Sequence, residues 1–227
     1  MAVPFVRADL ERASRELMRD GRWANARVER VTLGGEVWTV KDFAPRAIWV
    51  RNSVGRFLCW RELRALDRLA GIAGIPAEAF RLDAHAIAAR YLPGTILGEV
   101  PAERAETAFL RSYEALLGAV HARGVVHLDT GGGSNMLLLD DGGPGLIDFQ
   151  AALFTERMPA RLRRLLEGID LAGLYKKWAR WQPQSLGPRR REIVERMLRW
   201  RRLWVLRGYL GVPRRPRPSR RGVGASP

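Results

Sequence analysis

The chain has 227 residues, 47% of them hydrophobic, so it is long enough to form one large domain or two small lobes with a shared core. It carries 39 Lys and Arg against 24 Asp and Glu, and the excess is concentrated in residues 186–227, where 13 arginines face two glutamates. The single cysteine, Cys59, excludes an internal disulfide, and the lack of an apolar run of about 18 residues excludes a bilayer-spanning helix.

The ends of the chain suggest a compartment and a partner. Residues 1–14 have neither an apolar segment nor a cleavage signature, so we expect no secretion signal and a cytoplasmic protein. The arginines of residues 186–227 could meet phosphate groups on nucleic acid, anionic lipid or a phosphorylated glycan, or they could form no more than a soluble tail. Residues 211–227, rich in Pro, Gly, Ser and Arg, are predicted to be a disordered basic tail.

The first predicted elements are a helix and a hairpin. Residues 7–20 have the spacing of a short amphipathic helix that ends at Gly21. Residues 27–43 read as two β-strands joined by a tight turn at Gly34-Gly35.

A second helix is predicted over residues 54–71 and a strand over residues 85–92. The helix is indicated by large apolar residues that recur near the 3.6-residue period. These residues are Phe57, Trp60, Leu63, Leu66 and Leu69. The strand ends at Pro93-Gly94, a break that we expect to act as a hinge.

The rest of the chain is predicted to be mainly helical. Helices are expected over residues 102–122, 161–181 and 188–209, with a β-hairpin of strands 136–139 and 145–147 between the first two. Since strands precede residue 93 and helices dominate after it, we expect an α+β fold of two lobes with a ligand cleft between them.

The residues best suited to chemistry lie in the segment 127–150. Asp129, on a loop between a helix and an apolar strand, could accept a proton from an attacking hydroxyl, or it could simply cap a turn. Asn135 and Asp148 offer hard oxygen ligands for Mg²⁺, and the predicted hairpin places both at the same end. Asp148 directly follows the buried run Leu146-Ile147, where an unpaired charge is costly, so we expect it to have a partner.

Lys41 is a cation within an apolar strand. If strand alternation turns it inward it needs a counter-ion, and Glu62 in the predicted helix over residues 54–71 could supply one. The alternative is a lysine that faces water on an edge strand and an ordinary surface glutamate. A paired Lys41 could contact phosphate oxygens.

Three smaller features have two interpretations each. Residues 131–133, all glycine, could form a backbone nest for phosphate or let a long loop turn tightly. Asp170 could brace the loop that holds Asp129, or it could be a helix N-cap. His127 is interpreted as a structural pin for that loop rather than as a base.

Together these motifs resemble the protein-kinase-like superfamily, and most of all its compact bacterial branch of lipopolysaccharide core sugar kinases, RIO-like kinases and aminoglycoside phosphotransferase-like enzymes. The resemblance spans roughly residues 25–185. It rests on a set of matched positions: Lys41, its helix partner Glu62, the hinge residues 89–94, the catalytic-loop segment 121–129, Asn135 and Asp148.

The resemblance implies a two-lobed protein-kinase-like fold, with a small β-rich N-lobe over residues 1–92, a helical C-lobe over residues 93–210 and the tail beyond. It also implies ATP and Mg²⁺ as cofactors, and it assigns roles to individual residues. Asp129 would be the catalytic base, Lys41 would contact the ATP phosphates with Glu62 as its partner, Arg90 and Tyr91 would bind the nucleotide at the hinge, and Asn135 and Asp148 would bind the metal.

The implied reaction is phosphoryl transfer to a hydroxyl on a lipopolysaccharide-type glycan, a lipid-linked sugar or a protein serine or threonine. Two departures from the family pattern keep alternatives open: no G-x-G-x-x-G precedes Lys41, and the loop from Asp129 to Asn135 is one residue longer than usual. A third departure is Gln150 in place of the usual glycine after Asp-Phe, which could restrict that segment. The alternatives are a non-catalytic nucleotide-binding module and, ranked last, a basic nucleic-acid-associated protein.

The predicted helix over residues 188–209 suggests a further partner. A stripe formed by Ile193, Met197, Trp200 and Trp204 is surrounded by arginines. Such a helix could lie on an anionic membrane at its inner face, or it could pack its tryptophans against the C-lobe, which we prefer.

Overall fold

The structure, a computed structural model, describes residues 3–203, with only the backbone defined at residues 200–203. This part of the chain mixes ten β-strands with five α-helices, in agreement with the predicted α+β class. Within it, no helix combines the length and the apolar character required to cross a bilayer.

The first half of the chain forms a five-stranded antiparallel sheet with the order β1-β2-β3-β5-β4. Its strands are β1 (Ser14–Arg19), β2 (Arg27–Leu33), β3 (Glu36–Asp42), β4 (Ala79–Arg81) and β5 (Ala86–Arg90). The predicted hairpin over residues 27–43 is confirmed as β2 and β3, and the predicted strand over residues 85–92 is confirmed as β5.

The helix predicted over residues 7–20 is wrong. A short 3₁₀ helix, Arg7–Glu11, is followed by strand β1 at the edge of the sheet. Every residue of β1 is exposed. A short isolated helix is marginal in water, whereas the strand gains the hydrogen bonds of its ladder with β2.

The two faces of the sheet are covered differently. On one face the N-terminal segment contributes Phe5, which packs edge-on against Trp38 and Phe80 with ring centroids 5.5 and 5.0 Å apart. The other face is covered by a helical stretch formed by α1 (Ile48–Val50), a π-helical turn (Arg51–Gly55) and α2 (Arg56–Arg68). This stretch confirms the helix predicted over residues 54–71, with an earlier start.

The predicted apolar face of α2 is only partly correct. Phe57 and Trp60 are exposed, whereas Cys59 and Glu62 are buried against the sheet and Leu66 is buried in the core shared with the second half of the chain. The ion pair of Glu62 with Lys41 decides which side of the helix faces inward, and this interaction is not visible in apolar periodicity. Burial raises the pKa of the Cys59 thiol to about 12.

The second half contains two small sheets, β6-β8-β9 and β7-β10, and three long helices. Its strands are β6 (Gly94–Ile96), β7 (Val125–Val126), β8 (Met136–Leu139), β9 (Pro144–Leu146) and β10 (Leu153–Phe154), and its helices are α3 (Thr107–Ala122), α4 (Ala160–Trp181) and α5 (Pro188–Leu203). The hairpin and helices predicted here are confirmed, although α3 starts later than predicted.

The largest hydrophobic core lies between α3 and α4. Leu110 and Leu117 of α3 pack with Leu174 and Trp178 of α4, and Leu69, just after α2, joins the same core. The end of the helix predicted over residues 188–209 and the tail over residues 211–227 lie outside the described residues.

Leu117→Ala tests this core. Leu117 is fully buried, so its truncation should lower the free energy of unfolding by about 2–5 kcal/mol. Leu162→Ala, at an exposed position on α4, is the matched control and should change it by less than about 0.5 kcal/mol. Urea unfolding measures both, and equal values would contradict this description of the core.

Candidate functional site

Lys41 of β3 lies between two carboxylates that come from distant parts of the chain. Its Nζ donates to Oε1 of Glu62 on α2 and to Oδ1 of Asp148, each at 2.7 Å. Lys41 and Glu62 are buried. The structure therefore brings together three of the residues that the sequence singled out.

The charges of this cluster depend on one another. Burial alone would lower the pKa of Lys41, but Asp148 and Glu62 outweigh it and raise the pKa. Burial would likewise raise the pKa of Asp148, but the Lys41 ammonium holds it below its usual value. For Glu62 burial dominates and the pKa is raised. Its Oε2 is buried without a well-formed hydrogen bond, although the Gln150 side chain interacts with the carboxylate.

Asp148 is held in an unusual backbone conformation. Its φ of 66° lies in the left-handed region, which costs a residue with a Cβ roughly 1–2 kcal/mol. Directly after it, Phe149 is fully buried and packs edge-on against the His127 ring at 4.8 Å. Leu128, in the adjacent loop, has φ 63°. Strain of this kind persists where the surroundings enforce it, and it is common at functional sites.

Asp170 braces the loop that carries Asp129. From the interior of α4, its carboxylate accepts hydrogen bonds from the backbone N–H groups of His127 and Leu128, both at 2.7 Å. The helix approaches this closely because Gly173 has no side chain: a Cβ there would lie 2.2 Å from Thr130 Oγ1. The bracing interpretation of Asp170 is thus confirmed, and the N-cap interpretation is wrong, because Asp170 lies well inside the helix.

His127 holds the same loop from the other side. Its Nε2 lies 2.9 Å from the carbonyl oxygen of Ile147, so Nε2 carries the proton, and Nδ1 accepts from the N–H of Asp129 at 3.2 Å. With both ring nitrogens engaged in this way, His127 acts as the structural pin that the sequence suggested.

Asp129 and Asn135 contact each other directly. The Asn135 amide Nδ2 donates to the Asp129 carboxylate at 2.8 Å and to its backbone carbonyl at 3.1 Å. The carbonyl of Asn135 accepts from the N–H of Ile147 at 3.0 Å, which places Asn135 beside the residue preceding Asp148. Asp129 is exposed, whereas Asn135 is buried.

Asn135 and Asp148 each have a side-chain oxygen of the kind that Mg²⁺ prefers. Since Asn135 donates through Nδ2, its Oδ1 points elsewhere and accepts only a long 3.4 Å contact from Ser134. Asp148 Oδ2 has a cation, Arg19, at 3.8 Å, which is too far for a hydrogen bond. Two hard oxygens are therefore available, and the described residues provide no cluster of three His, Cys, Asp or Glu ligands.

Lys177 of α4 is a site residue that the sequence did not reveal. Its ammonium donates to the backbone carbonyls of Thr130 and Gly131 at 3.1 and 3.4 Å, directly after Asp129. Gly133, with φ 76°, leaves room for it, since a Cβ there would lie 2.5 Å from Lys177 Cε. Burial, with a smaller contribution from the Lys176 charge, lowers the pKa of Lys177 to about 8.

The loop between β1 and β2, residues 20–26, was also missed, because β1 was predicted to be helical. Arg19, Val28 and Lys41 lie abreast on three adjacent strands, so the loop leaves the sheet beside Lys41. Its Asp20 pairs with Arg46 at 2.6 Å. Trp23 has φ 56° and is 87% exposed.

Arg90 and Tyr91 are not among the contacts of the cluster around Lys41, and the Arg90 guanidinium pairs instead with Glu36 and Glu78. The Arg90 guanidinium is stacked over Trp38 at 4.1 Å, on the opposite face of the sheet from Lys41. Their N–H groups already donate to the carbonyls of Glu78 and Val37. A cavity of about 520 Å³ adjoins them, lined in part by Tyr91 and by Val37, which shares a face of β3 with Lys41. Their role in nucleotide binding stays a prediction.

Asp170→Asn should release the braced loop. The amide replaces one acceptor oxygen by a donor, so one buried N–H loses its partner and the free energy of unfolding should fall by about 1–3 kcal/mol. The amides of His127 and Leu128 should also exchange hydrogen faster. Glu167→Gln, on the same helix, is the control and should change neither quantity. Unchanged exchange in Asp170→Asn would contradict the bracing role.

Lys177 should make stability depend on pH. Its pKa is about 8 in the folded chain against 10.5 as the ordinary value, so the unfolded chain binds more protons between these pH values. The charged form therefore destabilises the fold below pH 8, and the parent should gain stability relative to Lys177→Met as the pH rises from about 8 to 10.5. Urea unfolding of both chains across this range measures the difference. A difference that does not change with pH would refute the assignment.

Lys41, Glu62 and Asp148 thus form one ionic cluster, and Asp129 and Asn135 form a second group beside it, joined through Ile147. No model of a known protein family matches the chain, and no curated protein matches it significantly.

Proposed function

We propose that the chain is an ATP- and Mg²⁺-dependent phosphotransferase with a two-lobed, protein-kinase-like fold that phosphorylates a hydroxyl group. The lobes would comprise residues 1–92 and 93–210. One observation carries the proposal: the Lys41 ammonium lies 2.7 Å from both Glu62 and Asp148, next to the Asp129–Asn135 pair. These five residues are the ones that the family resemblance matches to the reaction.

The charges support phosphate binding. Lys41, held by two carboxylates, stays protonated and can present its ammonium to phosphate oxygens. Asn135 and Asp148 would hold Mg²⁺, which supplies positive charge beside the phosphates when bound. The loop over residues 20–26 leaves the sheet on the same side, where a glycine-rich loop would cover the phosphates in the family.

In the proposed reaction the acceptor oxygen forms a bond to the terminal phosphorus of ATP while the bond to the bridging oxygen breaks and ADP leaves. Asp129, exposed and oriented by Asn135, positions the acceptor hydroxyl and takes its proton. Lys177 adds a positive charge directly behind the loop, where the sequence following Asp129 contains no basic residue. Positioning of the two substrates and neutralisation of the phosphate charge would supply most of the rate acceleration.

The acceptor class is a hydroxyl on a lipopolysaccharide-type glycan, a lipid-linked sugar or a protein. Because ATP is made and used in the cytoplasm, the proposed reaction belongs there.

A non-catalytic nucleotide-binding module is the second candidate. The observation that favours it is the loop over residues 20–26, whose one glycine, Gly21, is packed so tightly that a Cβ would lie 2.2 Å from the Ala26 carbonyl oxygen. Such a loop closes less freely over phosphates than a glycine-rich one. The basic tail behind the nucleic-acid alternative lies outside residues 3–203.

Asp129→Asn and Asp148→Asn test the proposed function. The purified chain is incubated with ATP labelled on its terminal phosphate and Mg²⁺, against cell-envelope glycolipid and against protein extract. Asp129→Asn should lower the rate of labelling about 10²–10⁴-fold, because the acceptor loses its base. Asp148→Asn should also lose Mg²⁺-dependent nucleotide binding in a thermal-shift assay.

Asp67→Asn, which changes an exposed carboxylate on α2, is the matched control and should label acceptors at the parent rate. Equal rates in all variants would overturn the proposal. Nucleotide binding by the parent without transfer to either acceptor pool would favour the non-catalytic module.

A further inference from the structure

The side of α1 and α2 turned away from the sheet carries large apolar residues in contact with solvent. We define the aromatic–arginine face by its apolar residues Ile48, Trp49, Phe57 and Trp60 and its arginines Arg56, Arg61 and Arg64. Ile48 and Trp49 are 65% and 66% exposed, and Phe57 and Trp60 are 52% and 43% exposed. This face takes no part in the site around Lys41, since Glu62 points the opposite way.

On α2, the aromatic rings and two arginines of this face contact one another in a strip. The rings of Phe57 and Trp60 are stacked with centroids 5.9 Å apart. The Arg61 guanidinium lies 4.9 Å from the Phe57 ring, and that of Arg64 lies 5.2 Å from the Trp60 ring. The spacing of three, four and seven residues places these side chains on one side of the helix.

The charge of the strip has one sign. Between residues 48 and 64 the chain contains four arginines and one acidic residue, Glu62. Glu62 is buried against Lys41, so the outward side of residues 48–64 presents arginines as its charged residues, and the next acid, the exposed Asp67, follows one turn after Arg64. The complementary partner is an anionic surface that also accepts apolar rings.

The charge and the exposed rings of this face distinguish between three binding partners: a second copy of the chain, nucleic acid and a lipid bilayer. A second copy would present the same arginines, and the whole chain has a formal charge of +15, so self-association through this face brings like charges together. A nucleic-acid duplex would satisfy the arginines but would leave Ile48 and Trp49 in water, since its bases are stacked within the helix. The boundary of an anionic bilayer satisfies both, since tryptophan rings and arginine side chains each place an apolar body below a polar tip.

We propose that the aromatic–arginine face binds the surface of an anionic lipid bilayer. Ile48, Trp49, Phe57 and Trp60 would enter the headgroup region, and the arginines would pair with lipid phosphates. The proposal is independent of phosphoryl transfer, and it assigns membrane contact to α1 and α2 rather than to the C-terminal helix.

The test is sedimentation of the full chain with vesicles of phosphatidylglycerol or phosphatidylcholine. The parent should bind the anionic vesicles and bind the neutral ones far less. The double variant Trp49→Ser/Phe57→Ser should bind phosphatidylglycerol vesicles at least about tenfold more weakly than the parent, because two exposed rings no longer enter the bilayer. Leu162→Ser removes an exposed leucine flanked by arginines on α4, and as the matched control it should bind like the parent.

Urea unfolding checks that all variants are folded, and the substituted positions are exposed enough for this to be expected. Equal binding by parent and double variant would mean that other basic residues make the contact, and it would overturn the proposal. The proposal would also be overturned if the parent bound no vesicles. It would be overturned as well if the double variant kept its vesicle binding and lost only self-association or RNA binding. ATP turnover is not measured, so failure here leaves the proposed reaction untouched.

Discussion

A single buried cation organises this molecule. Lys41 is desolvated within a sheet, so it requires negative charge, and two carboxylates from remote segments provide it. One comes from α2 and fixes which side of that helix faces the sheet; the other comes from the end of the β8–β9 hairpin and ties the second half of the chain to the first. Removing Lys41 would leave two carboxylates without their shared cation, which is costlier than the loss of a surface pair.

Part of this ionic arrangement could be predicted from the sequence. Lys41 lies within an apolar strand, Glu62 is the only acidic residue of its helical stretch before Asp67, and Asp148 directly follows a buried run. In each case a charge stands where burial requires a partner, so Lys41 could be paired with Glu62 in advance, whereas Asp148 was only expected to have a partner and the structure identifies Lys41 as that partner. The glycine-containing turns located the hairpins for a similar local reason.

The features that escaped prediction depend on contacts between distant residues. Strand β1 buries no side chain, so its sequence has no apolar alternation that would predict a strand. It is a strand because its backbone forms a hydrogen-bond ladder with β2. The loop over residues 20–26 was not predicted for the same reason, because it connects β1 to β2. Lys177 reaches the carbonyls after Asp129 from a helix far along the chain, and no spacing rule connects the two. The outward position of Phe57 and Trp60 follows from the inward position of Glu62.

The lone thiol has a use that follows from where it is buried. Cys59 lies one turn before Glu62, is fully shielded between α2 and the sheet, and has its pKa raised to about 12. Alkylating reagents attack thiolates, so this sulfur is inert while the helix is docked. Its rate of alkylation therefore reports how often α2 separates from the sheet. Because Glu62 is on the same helix, this rate follows the opening and closing of the ionic cluster without an introduced label.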